Sequence, residues 1–103
     1  MCGIIGILDR EEYNIVPDIL LGLSFLENRG YDSSGICYFH EKNIKIEKKV
    51  FEKNIKPIEQ LEKKTFEKGY IGFGHNRWAT HGQKTIKNAH PHISNDQIGR
   101  AHV

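Results

Sequence analysis

Several things are scarce in this chain, and each scarcity removes a class of protein. Cysteine occurs only at Cys2 and Cys37, too few for a disulfide framework or a thiolate metal site. A reducing, cytoplasmic compartment is therefore expected. No apolar run approaches the roughly 18 residues that a membrane-spanning helix needs, and no basic leader precedes one. Neither a membrane partner nor secretion by an N-terminal signal is expected. An excess of one charge is missing too: 15 basic residues stand against 13 acidic, for a net charge of +2. The lysines alternate with glutamates, so no basic face argues for a nucleic-acid partner. Apolar residues make up 38% of the 103 residues, which suits one small domain or a piece of a larger one. A chain of this length buries only about 60–65% of its unfolded surface, so its stability margin is narrow. No internal repeat or low-complexity linker interrupts it.

What is present begins with the placement of one cysteine. In Met1-Cys2-Gly3-Ile4-Ile5-Gly6-Ile7 the second residue is small, which permits removal of Met1. Cys2 would then carry a thiol and an α-amine on one residue. An ordinary α-amine titrates at about 7.7–8.0 and an ordinary thiol at about 8.5. The amine can thus take the thiol's proton, directly or through one water. A nucleophile activated by the chain's own N-terminus is a route to covalent catalysis. The plainer alternative is a small buried residue that opens a strand.

Local patterns predict a mixed α and β domain. Gly3–Leu8 is short, apolar and rich in Ile, as in a buried strand. Pro17 in a first turn, then Ile19, Leu20, Leu23 and Leu26 at helical spacing, predict an amphipathic helix over 15–28 with Gly30 beyond its end. Gly30-Tyr31-Asp32-Ser33-Ser34-Gly35 reads as a turn. Strands are expected at 36–39 and 44–47, joined by a tight turn near Glu41-Lys42-Asn43. Residues 55–66 read as a solvated surface helix, and 69–75 as a strand whose glycines imply close approach of a ligand or a neighbouring strand. Residues 76–92 lack periodicity and read as a loop carrying function. The expected architecture is α+β, antiparallel hairpins packed on a helix.

Chemistry concentrates in His75-Asn76-Arg77-Trp78-Ala79-Thr80-His81-Gly82. Arg77 offers a rigid fork of donors suited to a carboxylate, and Trp78 a flat wall or lid. Thr80 and His81 add short-range hydrogen-bonding groups. This set suits the α-carboxylate and α-amine of a free amino acid. It also suits a structural role, with Trp78 in the core and Arg77 paired to a structural acid. His90 and His92 lack the helical spacing of a zinc site, and no Cys or acidic cluster joins them, so no metal is expected. Arg29-Gly30-Tyr31-Asp32-Ser33 is either a helix-terminal turn bent by Asp32 or a buttress for Cys2, with Arg29 favouring thiolate.

Met1-Cys2-Gly3-Ile4, the Leu26–Gly35 stretch, the His75–Gly82 stretch and Asn88-Ala89-His90-Pro91-His92 occur in that order. Together they resemble the start of the glutaminase domain of the glutamine-dependent hexosephosphate aminotransferases, a branch of the class-II glutamine amidotransferases. The resemblance covers residues 1–97. It implies a truncated N-terminal-nucleophile hydrolase fold of the αββα sandwich type. It further implies that Cys2 attacks the side-chain amide of L-glutamine and releases ammonia through a thioester, with no cofactor. Arg77 would clamp the glutamine α-carboxylate, Thr80 and His81 would line the pocket, and Trp78 would help shield the ammonia. Arg29, Asp32 and His90 would be structural supports. Fructose-6-phosphate, the acceptor, would bind only to C-terminal sugar isomerase domains that this chain lacks, and the parent would be a homo-oligomer. Other class-II amidotransferases, of the phosphoribosyl or asparagine-forming type, and a non-catalytic glutamine-binding module are the alternatives.

The match fails at the end of the chain. The family continues into His-Asn-Gly, whose Asn and Gly form an oxyanion hole, where this sequence has Ala101, His102 and Val103. Loss of one such donor costs about 10²–10³ in rate, so the fragment itself is expected to be inactive. Residues 98–103, back-translated as ATC GGA AGA GCA CAC GTC, match the start of a common sequencing-library adapter. They are expected to be a non-native tail, with 1–97 the genuine partial domain.

Overall fold

A computed structural model describes residues 2–10, 13–26, 32–77, 87, 89–93 and 99–100. Its elements run β1 (Gly3–Leu8), α1 (Val16–Phe25), β2 (Ser33–His40), β3 (Asn43–Val50), α2 (Pro57–Glu62), β4 (Ile71–Arg77), β5 (His92–Ile93) and β6 (Gly99–Arg100). The first four strands form one sheet in the order β1-β4-β2-β3, every pair antiparallel. β5 and β6 form a separate two-stranded ladder, His92 opposite Arg100 and Ile93 opposite Gly99. The expected α+β character holds, with four antiparallel strands and two helices at its centre.

β1 occupies the predicted span. α1 starts with Pro17 in its first turn, and the Asn14 side chain accepts from both Val16 N–H (3.2 Å) and Gly69 N–H (3.1 Å). One side chain thus ties the helix start to the chain entering β4. The helix is shorter than the predicted 15–28: Ile15 and Leu26 are its caps, and 27–28 lie outside the described residues. β2 and β3 join through Glu41 and Lys42, at φ 46° and 70°. Left-handed backbone at both positions matches the twist of a two-residue hairpin turn.

One face of the sheet carries the core. Ile15, Val16, Ile19 and Leu23 from the α1 region, Ile36 and Tyr38 from β2, and Ile58 and Leu61 from α2 pack together. A Cβ on Gly74 would stand 2.8 Å from Leu23 and 2.9 Å from Ile19, so glycine lets α1 lie close on β4. The close approach foreseen for the β4 glycines is therefore to a helix at Gly74, and to the neighbouring strand at Gly72, beside Cys37 O. α2 departs from expectation twice. It is shorter than 55–66, and it is not simply a solvated helix, because Ile58 and Leu61 are 3% and 0% exposed. After Glu62 the chain turns so that Phe66 meets Tyr38 edge-on at 6.1 Å.

Among the described residues the opposite face is partly open. Register and alternation place Ile4, Leu8, Ile71, Phe73, Cys37, Phe39, Ile44 and Ile46 there. Ile4, Leu8 and Ile71 remain 39%, 72% and 40% exposed.

Other boundaries also correct the sequence reading. Ser33, Ser34 and Gly35 belong to β2 rather than to a turn, and Asn76 and Arg77 belong to β4 rather than to a loop. Ser33 pairs with Val50 on one side and Arg77 on the other, so sheet pairing on both flanks overrides their turn-forming character.

Candidate active site

Antiparallel pairing brings three strand ends together. Asn76 lies opposite Gly3 of β1 and opposite Ser34 of β2, and Arg77 lies opposite Ser33. Cys2 comes one residue before Gly3, and Arg77 one residue after Asn76. The β1–β4 ladder therefore delivers the half-buried Cys2 and Arg77 to one end of the sheet. By alternation both belong to the face opposite α1.

Asp32 reaches the same end from β2. Its N–H donates to Arg77 C=O at 3.1 Å, and its own C=O accepts from Phe51 N–H at 2.9 Å. Its carboxylate Oδ2 stands 3.9 Å from Arg77 Nη1, with side chains 3% and 11% exposed. That separation is a charge contact rather than a hydrogen bond. Arg77 thus faces a buried acid, and its strand end lies next to that of the nucleophile candidate. Removing one member of a buried pair leaves the other charge uncompensated, so these two residues depend on each other.

Beyond Arg77 on the same face stand three imidazoles. His75, fully buried, meets His90 with ring centroids 4.6 Å apart, and His90 meets His92 at 4.4 Å. The segment comes this close because of Gly35: a Cβ there would collide with His90 O and stand 2.5 Å from Pro91 Cδ. Burial holds the His92 imidazole below the usual histidine range, and the positive charges of Lys48 and Arg77 push it the same way. Lys48 donates through Nζ to Ala89 O at 3.1 Å, and its partial burial lowers its own proton affinity. No group of three or more His, Cys, Asp and Glu among the described residues is arranged to hold a metal ion.

On the α1 face of the same strand end lies a buried polar pair absent from the sequence-level candidates. Ser34 Oγ donates to Asn76 Oδ1 at 2.6 Å, and Asn76 Nδ2 donates to Leu23 O at 2.8 Å. Both residues fall in stretches read as turn or loop. Strand alternation through 71–77 would have put Asn76 on the helix-covered face and marked it as a buried amide.

Of the predicted site residues, Cys2, Asp32 and Arg77 converge on one sheet end, and His90 lies on the same face beside His75. Arg29, Trp78, Thr80 and His81, and the 101–103 end, lie outside the described residues. The chemistry assembled here is a thiol, a guanidinium braced by a carboxylate, and a histidine stack.

No protein-family model matches the chain. Curated proteins do. It is 45% identical over 94 residues to a protein of Caldanaerobacter subterraneus subsp. tengcongensis, covering 91% of this chain and 15% of that protein. It is 47% identical over 95 residues to one of Wigglesworthia glossinidia brevipalpis, with the same two coverages. A protein of Neisseria meningitidis serogroup A is 44% identical over 102 residues, 99% of this chain and 16% of its own length. All three carry the name glutamine–fructose-6-phosphate aminotransferase (isomerizing). The chain is a homologue of these aminotransferases, matched to a segment that makes up about 15% of their length.

Proposed function

We propose that this chain forms part of the glutamine-handling site of a longer glutamine–fructose-6-phosphate aminotransferase, with Cys2 as nucleophile and Arg77 as carboxylate clamp. The observation that carries this is the β1–β4 register, which sets Cys2 and Arg77 at the same strand end. Cys2 Sγ attacks the γ-amide carbon, and its proton passes to the α-amine exposed by loss of Met1. The C–N bond breaks, the amine returns the proton, and ammonia leaves. Water then hydrolyses the γ-glutamyl thioester to glutamate and regenerates the thiol. Asp32 braces the Arg77 guanidinium, and His90 supports it from the same face. Trp78, Thr80 and His81 complete the glutamine pocket, and Arg29 supports the nucleophile. The ammonia passes to fructose-6-phosphate on a further domain of the longer, oligomeric, cytoplasmic protein.

The open apolar face supports an N-terminal-nucleophile hydrolase sandwich, in which a second sheet of the longer polypeptide lies over Ile4, Ile71, Phe73 and Ile44. The exposed apolar part of this face favours a second layer over it.

The test is affinity alkylation, with a chloromethyl ketone in place of the glutamine side-chain amide. A single adduct on Cys2, suppressed by L-glutamine and not by D-glutamine, is expected by peptide mass mapping. Equal labelling of Cys37, or no protection by L-glutamine, would remove the assignment.

A further inference from the structure

We propose that Asn76 is the positioning residue of this site, acting by clamping the last turn of α1 onto the strand ends that carry Cys2 and Arg77. The inference rests on Cys2 and Arg77 forming the site and adds a residue that touches neither substrate nor thiol.

The geometry starts at the C-terminus of α1. The final four carbonyls of a helix lack intrahelical partners, and a buried one must find a donor elsewhere. Leu23 is fully buried, and its carbonyl accepts from Leu26 N–H at 3.1 Å and from Asn76 Nδ2 at 2.8 Å. A carbonyl can only accept, so the amide must present its nitrogen to Leu23. Oδ1 is then left for the Ser34 hydroxyl, which donates to it at 2.6 Å. Asn76 is 1% exposed and Ser34 2%. One side chain therefore bridges the helix end, β2 and β4 directly.

The position along the strand makes this bridge matter. Asn76 faces Gly3 across the β1–β4 ladder. Gly3 lies directly under the helix end, where a Cβ would stand 3.1 Å from Leu26 Cβ. The turn held by Asn76 thus rests on the residue following Cys2. Arg77, the neighbour of Asn76, takes the opposite face, and Asp32 beside Ser34's strand start holds its guanidinium. The height of the helix end over Gly3 and the placing of Cys2, Arg77 and Asp32 are set by the same contact.

Only an amide meets both demands with separate atoms. Aspartate has acceptors alone and would set a negative charge against Leu23 O, at the negative end of the helix dipole. Leucine fills the space and satisfies neither partner.

The experiment compares rates of Cys2 alkylation by the glutamine chloromethyl ketone and by iodoacetamide, which reports thiol reactivity alone. Each protein's thermal melt is recorded alongside. For Asn76→Asp and Asn76→Leu, the chloromethyl ketone rate is expected to fall at least tenfold relative to the iodoacetamide rate, with a cooperative melt retained. A ratio within twofold of the parent in a folded variant would overturn the proposal. Should neither variant fold, Ser34→Ala decides, since it removes one hydrogen bond and leaves the helix contact. A threefold fall in its rate ratio supports the clamp, and an unchanged ratio sinks it. If the parent chain itself shows no preference for the glutamine-shaped reagent, the site assignment fails and this inference with it. Preference in the parent that survives in the variants removes the inference alone.

Discussion

The surroundings of His92 disfavour its charged form. Burial, then the cations of Lys48 and Arg77, keep its proton affinity below that of an unfolded histidine. The unfolded chain therefore takes up the proton first as pH falls. The stability this residue contributes is full above about pH 6.5 and is lost as pH drops through the lower folded-state value. Urea midpoints measured from pH 8 to pH 5 should fall in that window, and His92→Asn should flatten the decline. A slope unchanged by the substitution would place the acid sensitivity elsewhere. Cys2 and Arg77 were legible in the sequence because their chemistry is unusual for their position: a thiol beside the initiator and a guanidinium within a histidine-rich run. Asn76 and Ser34 were not legible, because their role depends on a helix end brought over the strand from 53 residues away. Alternation along β4 marks Asn76 as buried, but nothing local names the helix carbonyl that it meets.

At the level of elements, α1 is the part of the fold that sequence periodicity described best. Its buried residues Ile19 and Leu23 were those at helical spacing. Leu23 is where helix packing and the polar clamp meet: its side chain abuts Gly74 while its carbonyl receives Asn76. Leu23→Ala should cost about 2–5 kcal/mol, through lost burial and the cavity left over Gly74. Chemical denaturation of the variant checks this; a loss under 1 kcal/mol would mean that α1 slides down to fill the space. The elements whose limits were misjudged are those governed by distant neighbours. β2 begins at Ser33 because Arg77 and Val50 flank it, although Ser, Ser and Gly favour turns. The second helix stops at Glu62, and Phe66 reaches Tyr38 from outside it. Tertiary packing sets these ends, and propensity is silent on it.

For the whole molecule, strand order was the least legible property. Alternation marks a strand without saying which strand lies next to it, and the order β1-β4-β2-β3 inserts β4 between β1 and β2. The two edges that result are unlike. β3 carries Lys45, Glu47, Lys48 and Lys49, charges that discourage pairing with another chain. β1, GIIGIL, carries none. Association should therefore run through β1 and the apolar face beside it. Leu8→Lys, at a position 72% exposed, should slow aggregation markedly by light scattering while changing stability by less than about 0.5 kcal/mol. Aggregation at the parent rate would exonerate that edge.

The pairing of Gly3 with Asn76 also has a consequence in time. Strand β1 has β4 as its sheet neighbour, and the partners lie about 70 residues apart in the chain. During synthesis the first strand must wait until the chain through Arg77 has left the ribosome. The β2–β3 hairpin, local and closed by two residues, can form long before. Cys2 and Arg77 can reach one strand end only after β4 is available to pair with β1, so the candidate site depends on the longest-range pairing of that sheet.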